Sequence, residues 1–347
     1  MPVVGSILDK AEHERYLLLT QLNPTGDMMP LSSAPPMVDF HSHYYDAAWY
    51  STSTASPPVV ARSWKLLTDL PAQLDAMDAA GMTIKVLSAP IGSIAKPGMS
   101  LPSDQIRHMN ERFAELIAAY PTRLRGLATI DAFQGNAAAQ DVERAIGELG
   151  LGGICVDCSQ GDRFLDTASA RPTLEAAAAL GIPVFVHPIS PAGYTPRLMQ
   201  QAGHLGTLLA RGTEAAVSIL ALLRAGIFDI LPTLQLVVPM ISASALMFAG
   251  IFDSERGREE GWAGGSPSIM RHRLYIDTMG FDPAAIRFAV QLLGVDHVLL
   301  GSDWPIRPMT MRDQAEASLV AAGLTHAECV AVLGGNTLRL LQSRTRK

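Results

Sequence analysis

The chain has 347 residues, close to half of them apolar and only 17% charged, which permits a large buried core and argues against a disordered chain. Its formal net charge is -6 with Lys and Arg scattered, so the basic face needed to neutralise a phosphate backbone is missing and no nucleic-acid partner is expected. No uninterrupted apolar run reaches the eighteen or so residues of a membrane span, and the first residues do not follow a signal-peptide pattern, so no membrane association is expected.

The three cysteines Cys155, Cys158 and Cys329 make no disulfide framework, which fits a reducing, cytoplasmic location. In chain order, residues 7 to 22 read as a helix, followed by the Pro/Ser-rich connector N-P-T-G-D-M-M-P-L-S-S-A-P-P. Residues 1–36 therefore form an extension, read either as an arm for dimer contact or as an idle appendage. A regular alternation begins at Met37 and continues through residues 37–347. Short apolar runs suited to buried parallel strands appear as M-V-D-F, I-K-V-L, L-R-G-L-A-T, G-I-C-V, V-F-V, L-Q-L-V-V, L-Y-I-D and H-V-L-L. Helical patterns such as L-P-A-Q-L-D-A-M-D-A-A lie between them, and Gly81, Pro121, Gly150 and Gly181 supply stop signals. This alternation predicts a single α/β unit, a (β/α)8 TIM-type barrel with an N-terminal helical extension. The open doubly wound sheet is the alternative; no G-x-G-x-x-G turn follows the first strand to support it.

Barrels of this kind carry their chemistry at the C-terminal ends of the strands. His41 and His43 follow the first run in V-D-F-H-S-H-Y-Y. Two apart in extended chain, they face the same side with Cα atoms about 6.5–7 Å apart, a gap that one ion about 2.0–2.1 Å from each imidazole nitrogen can bridge. His187 ends the fifth run in I-P-V-F-V-H-P, and Asp303 follows the eighth in H-V-L-L-G-S-D-W-P. Taken one at a time, each is equally well a satisfied polar residue in a loop. Three imidazoles and a carboxylate at one rim make a donor set for one divalent ion, Zn²⁺ first and Mn²⁺ as an alternative. The C-V-D-C segment superficially suggests a chelate, but positions three apart in a strand face opposite sides, so Cys155 and Cys158 are read as structural.

With these pieces in order, the chain resembles the amidohydrolase superfamily, in its amidohydrolase-related branch of aminocarboxymuconate-semialdehyde and 6-methylsalicylate decarboxylases. The resemblance runs from Met37 to Leu341. It rests on V-D-F-H-S-H-Y, L-D-A-M-D-A-A-G-M, G-I-C-V-D-C-S-Q-G-D-R-F-L-D, I-P-V-F-V-H-P, G-T-E-A-A-V-S-I-L, L-Y-I-D-T, V-L-L-G-S-D-W-P and G-G-N-T-L-R-L-L. It implies His41, His43, His187 and Asp303 as the metal site, with Asp303 also a proton carrier, a small-molecule substrate, and a homodimer as a common arrangement among relatives. A lysine after strand four, which would help to bridge a second metal, is absent here, so one ion is expected.

Two departures stand out. Met240 occupies the place of a strand-six histidine that such enzymes use as base or proton relay, and a thioether cannot shuttle a proton. Ile251 occupies the place of an arginine that holds a substrate carboxylate. Three readings follow: a metal-dependent carboxy-lyase acting on a small carboxylated, aromatic or ring substrate; a metal-dependent hydrolase of a small ester, amide, lactone or C–C bond, in which water activated by the ion attacks and Asp303 takes its proton; and a non-catalytic binding member. The lyase ranks first, from the resemblance. His204 in the loop between strands five and six is the candidate replacement base, against a solvated loop residue. Arg62, Arg163 and Arg307 are candidate carboxylate holders, Arg307 being nearest in sequence to a ligand, and Trp304 is either a substrate wall or packing.

Overall fold

The computed structural model describes residues 34–49, 58–95, 98–255, 262–265 and 273–342. The predicted helix at residues 7–22 lies outside them. All eight apolar runs form parallel strands: β1 (Val38–His43), β2 (Ile84–Ser88), β3 (Leu124–Thr129), β4 (Gly153–Asp157), β5 (Pro183–His187), β6 (Gln235–Val238), β7 (Leu274–Asp277) and β8 (Val298–Leu299). They pair in sequence order in one eight-stranded sheet. The sheet closes where Phe40 N donates to Leu300 O at 2.9 Å and His43 N to Trp304 O at 2.9 Å. Closure leaves no free edge, and the open-sheet alternative is set aside.

The helices around the barrel begin with α1 (Pro58–Thr68), α2 (Leu70–Ala80), α3 (Ser103–Ala119), α4 (Asn136–Gly147), α5 (Arg171–Leu180), α6 (Thr195–Ala202) and α7 (His204–Arg224). Their ends follow local chemistry. Asp69 caps α2 by accepting from Ala72 N at 3.0 Å, and Gly81 stops it in the left-handed region at φ 69°. Helix α7 is long and apolar enough to cross a membrane by length and composition alone; half of that window is buried, as befits a barrel helix.

Two hydrophobic layers result. Val38, Phe40, Val86, Leu127, Cys155, Phe185, Val237 and Leu299 fill the barrel interior, while a larger cluster lies between barrel and helices. Cys155 faces the first and Cys158 the second, as strand alternation requires. The filled interior leaves only the strand ends for chemistry.

Candidate metal centre

Strict alternation along β1 would send Phe40 and His41 to opposite faces. The register against β2 shifts between Asp39 and Ser42, so the strand carries a bulge. The extra residue changes the phase. Phe40 stays in the barrel core, while His41 and His43 both turn into the barrel mouth, with ring centroids 5.2 Å apart. His187, ending β5, completes the group, at 5.7 Å from His41 and 5.2 Å from His43. One ligand atom from each of the three imidazoles lies within 4.8 Å of the others, an arrangement able to hold a metal ion.

Asp303 is delivered by the segment after β8, which is stitched to β1. Asp303 N donates to His41 O at 2.8 Å. Fully buried Asp39 accepts from His41 N at 3.2 Å, from Ser302 N at 3.0 Å and from Ser302 Oγ at 2.6 Å, locking β1 and the segment after β8 together. Asp303 itself takes a left-handed backbone, φ 63°, before a cis Trp304–Pro305 bond. Gly301 permits the approach, because a Cβ there would come within 2.7 Å of Asp277 Cβ and 2.9 Å of His41 Cβ. The carboxylate Oδ1 ends 3.2 Å from His43 Nε2 and 3.5 Å from His41 Nε2.

The hydrogen-bond network orients the imidazoles. His41 Nδ1 donates to Asp277 Oδ2 at 2.6 Å, and Asp277 is held in turn by the backbone N–H groups of Met240 at 2.8 Å and Met279 at 2.9 Å. Ser88 Oγ donates to Ser42 O, so His43 Nδ1, 3.1 Å away, is the donor in its own contact with that hydroxyl. In their neutral forms both imidazoles therefore aim an Nε2 lone pair at Asp303 Oδ1. Such acceptors repel one another unless a proton or a cation lies between them. His41 Nε2 and both ring nitrogens of His187 are buried with no hydrogen-bond partner, an expense on the order of 1–3 kcal/mol per group when nothing binds there. The donor set fits a divalent ion on this ground.

Electrostatics agree. Burial, joined by the charges of Arg211, His43 and His41, pushes the His187 pKa well below its ordinary value, so its imidazole is neutral and free to donate electron density. Burial also lowers His43. Burial alone would raise the Asp303 carboxyl, but a hydrogen bond from His43 when its Nε2 carries a proton, with the positive charges of His41, His43 and Arg211, holds it below the usual carboxylate range. For His41 burial opposes the charge, yet the Asp277 hydrogen bond and the neighbouring carboxylates raise its pKa overall. The site attracts positive charge.

The remaining predicted residues are distributed unevenly. Arg307 Nε sits 3.8 Å from Asp303 Oδ2, at the mouth. Trp304 is 2% exposed and its ring covers Lys85 Nζ at 3.7 Å, a placement that favours packing over a substrate wall. His204 is exposed at the first position of α7, and none of the hydrogen bonds of the imidazoles or Asp303 reaches it. Arg163 bonds Gln160 and lies over the Phe133 ring; the side chain of Arg62 is outside the described part. Met240 contributes its backbone N–H to Asp277, and Ile251 is 56% exposed.

Two carboxylates at the mouth, and an arginine whose charge acts on the site, escaped the sequence reading. Asp277 and Asp157 end apolar runs just as His187 does, and that pattern was the available signal. Asp157 is the register partner of His187; its Oδ2 accepts from Gly92 N at 2.7 Å and its buried Oδ1 has no hydrogen-bond partner. Burial pushes its pKa up to about 7 despite that hydrogen bond, so this carboxyl exists in both forms near neutrality. The third, Arg211, comes from α7 and had no sequence signal.

Comparison with known proteins follows the same line. A family model described as amidohydrolase matches residues 38–342, and the chain belongs to that family. A γ-resorcylate decarboxylase of Polaromonas sp. is 28% identical over 249 residues, covering 66% of this chain and 74% of the relative. A 2-amino-3-carboxymuconate-6-semialdehyde decarboxylase of Dictyostelium discoideum is 28% identical over 267 residues, covering 74% and 72%. Among solved structures, a dihydroxybenzoic acid decarboxylase of Polaromonas sp., with bound manganese and the inhibitor 2-nitroresorcinol, superposes with a TM-score of 0.75 at 22% identity, covering 89% of this chain and 97% of that one.

Proposed function

We propose that this protein is a metal-dependent, non-oxidative carboxy-lyase that removes carbon dioxide from a small carboxylated aromatic substrate. The observation that carries the reading is the convergence of three buried imidazoles, with unpartnered nitrogens, on one carboxylate in a chain whose relatives include decarboxylases. His41, His43, His187 and Asp303 hold one divalent ion. Three imidazoles and a carboxylate make Zn²⁺ the first expectation, and Mn²⁺, the ion of the Polaromonas structure, the alternative. When bound, the ion draws electron density from substrate oxygens next to the reacting carbon.

The chain's own residues account for the proton. Breaking the ring–carboxylate bond leaves an electron pair on the ring carbon, and that carbon takes a proton as carbon dioxide departs. Asp303 rests ionised, because its neighbours hold its pKa low. It therefore acts as a relay: it takes an acidic proton from the arriving substrate and returns one to the ring carbon. Asp277 keeps His41 fixed throughout. Buried free cysteines at 155, 158 and 329 support a reducing, cytoplasmic setting.

The test is carbon dioxide release from a panel of carboxylated phenols, run in water enriched in heavy oxygen, with and without a chelator. The expected result is chelator-sensitive carbon dioxide release and no labelled oxygen in the ring product. Labelled oxygen in the product of an ester, lactone or amide, with no carbon dioxide from any acid, would make the protein a hydrolase instead.

A further inference from the structure

Arg211 is a cation that the amino-acid pattern hides in an apolar helix. It begins a stripe with Ala215, Ser218 and Leu222, spaced four, three and four residues apart, and therefore on one face of α7. Those three residues are 0% exposed, so this face packs toward the barrel, and Arg211 lies at its rim end.

Two contacts fix where the helix crosses the mouth. Glu214 accepts from Ser159 Oγ at 2.5 Å, two residues beyond the end of β4. On the other side, a Cβ at Gly212 would come within 2.2 Å of Ile241 O, three residues beyond β6, so helix and chain are pressed together there. Strand β5, ending in His187, lies between those two strands. At about 100° per residue, Arg211 points between the directions of Gly212 and Glu214, toward the end of β5.

The surroundings agree with that placement. The charge of Arg211 acts on His187, Asp303, Asp157 and Tyr45, groups contributed by β5, β4 and the segments after β8 and β1. Among the described residues no carboxylate forms an ion pair with it. Glu214, its nearest acidic neighbour on the helix, is already satisfied by Ser159 and by Tyr194 Oη at 2.9 Å. An arginine whose charge acts on the neutral His187 imidazole, with no paired carboxylate among the described residues, is poised for an anion that arrives with a ligand.

We infer that Arg211 is the substrate-binding residue that takes the carboxylate of the incoming aromatic acid at the barrel mouth, on the β5 side of the metal site. This rests on the carboxy-lyase reading and deepens it. The planar guanidinium receives both carboxylate oxygens, which orients the ring before the bond to that group breaks. The substrate class is thereby narrowed to rings whose carboxylate projects from the edge that faces the ion.

The probes are γ-resorcylate and resorcinol, the same ring without its carboxylate, titrated calorimetrically into the metal-loaded protein. Wild type should bind γ-resorcylate the more tightly. Arg211→Ala should weaken γ-resorcylate by about ten-fold or more while resorcinol stays within about two-fold and metal content is unchanged. Arg211→Lys, which keeps the charge but not the fork, should recover part of the loss, and it also serves if the alanine variant does not fold. Equal effects on both ligands, no effect on either, or a wild type that does not distinguish them overturns the assignment. The lyase reading is judged separately: carbon dioxide release by wild type together with no such contrast removes Arg211 alone. A clear contrast without carbon dioxide release leaves Arg211 as the carboxylate holder of a different reaction.

Discussion

His187→Ala is expected to yield a folded protein that no longer retains its ion. Among the described residues the imidazole makes no hydrogen bond, so its removal breaks none there; the cost is a cavity beside Phe185, on the order of 2–3 kcal/mol. What disappears is one of three nitrogen donors facing a common point. Removing even a supporting contact of a metal ligand commonly costs about 10–100-fold in affinity, and loss of a donor should exceed that. Elemental analysis after dialysis should show near-stoichiometric metal in wild type and almost none in the variant. Thermal unfolding should agree: a chelator should lower the wild-type midpoint and leave the variant's unchanged, since a ligand that binds only the native state stabilises it. Metal retained at the wild-type level would show that His187 is not a ligand.

Asp303→Asn is expected to produce the largest loss of activity. Asparagine keeps the shape and one oxygen, so the backbone bonds to His41 O and from Arg307 N survive. It cannot carry a proton, and it offers a weaker donor to a cation. Turnover should fall by about 10²–10⁴-fold, the usual share of a positioned acid–base group. Ligand binding should fall far less. A variant that retains turnover would move the proton-carrying role elsewhere, and Asp157, buried beside His187 with its pKa near 7, is the first residue to test next.

Much of this architecture was legible because barrel strands announce themselves. Each is a short apolar run, and a polar residue at its end has little to do but face the mouth. His187 and Asp303 follow that pattern, and so do Asp157 and Asp277, which end G-I-C-V-D and L-Y-I-D. The paired histidines were legible as same-side neighbours. The β1 bulge, which lets Phe40 remain in the core while both histidines face the site, was not, since register is a property of two strands rather than one. Trp304 shows a similar limit: its position beside Asp303 was plain, but its ring turns to Lys85.

Arg211 was the least legible of all. Nothing in L-L-A-R-G-T-E separates a site cation from a surface one until Gly212 and Glu214 are seen pinning the helix across the mouth. The significance of Met240 also changes in three dimensions. Its thioether cannot replace a histidine, yet its backbone N–H holds the carboxylate that orients His41. That support comes from the main chain and needs no particular side chain.

The central claim is that four side chains from the two ends of the polymer and its middle share one ion, and anomalous diffraction from crystals of the protein as purified tests it directly. The expected result is a single peak within about 2.0–2.2 Å of nitrogen atoms of His41, His43 and His187 and of an Asp303 oxygen. A peak elsewhere, or a mouth with no anomalous scatterer in crystals grown with excess zinc or manganese, would contradict the account.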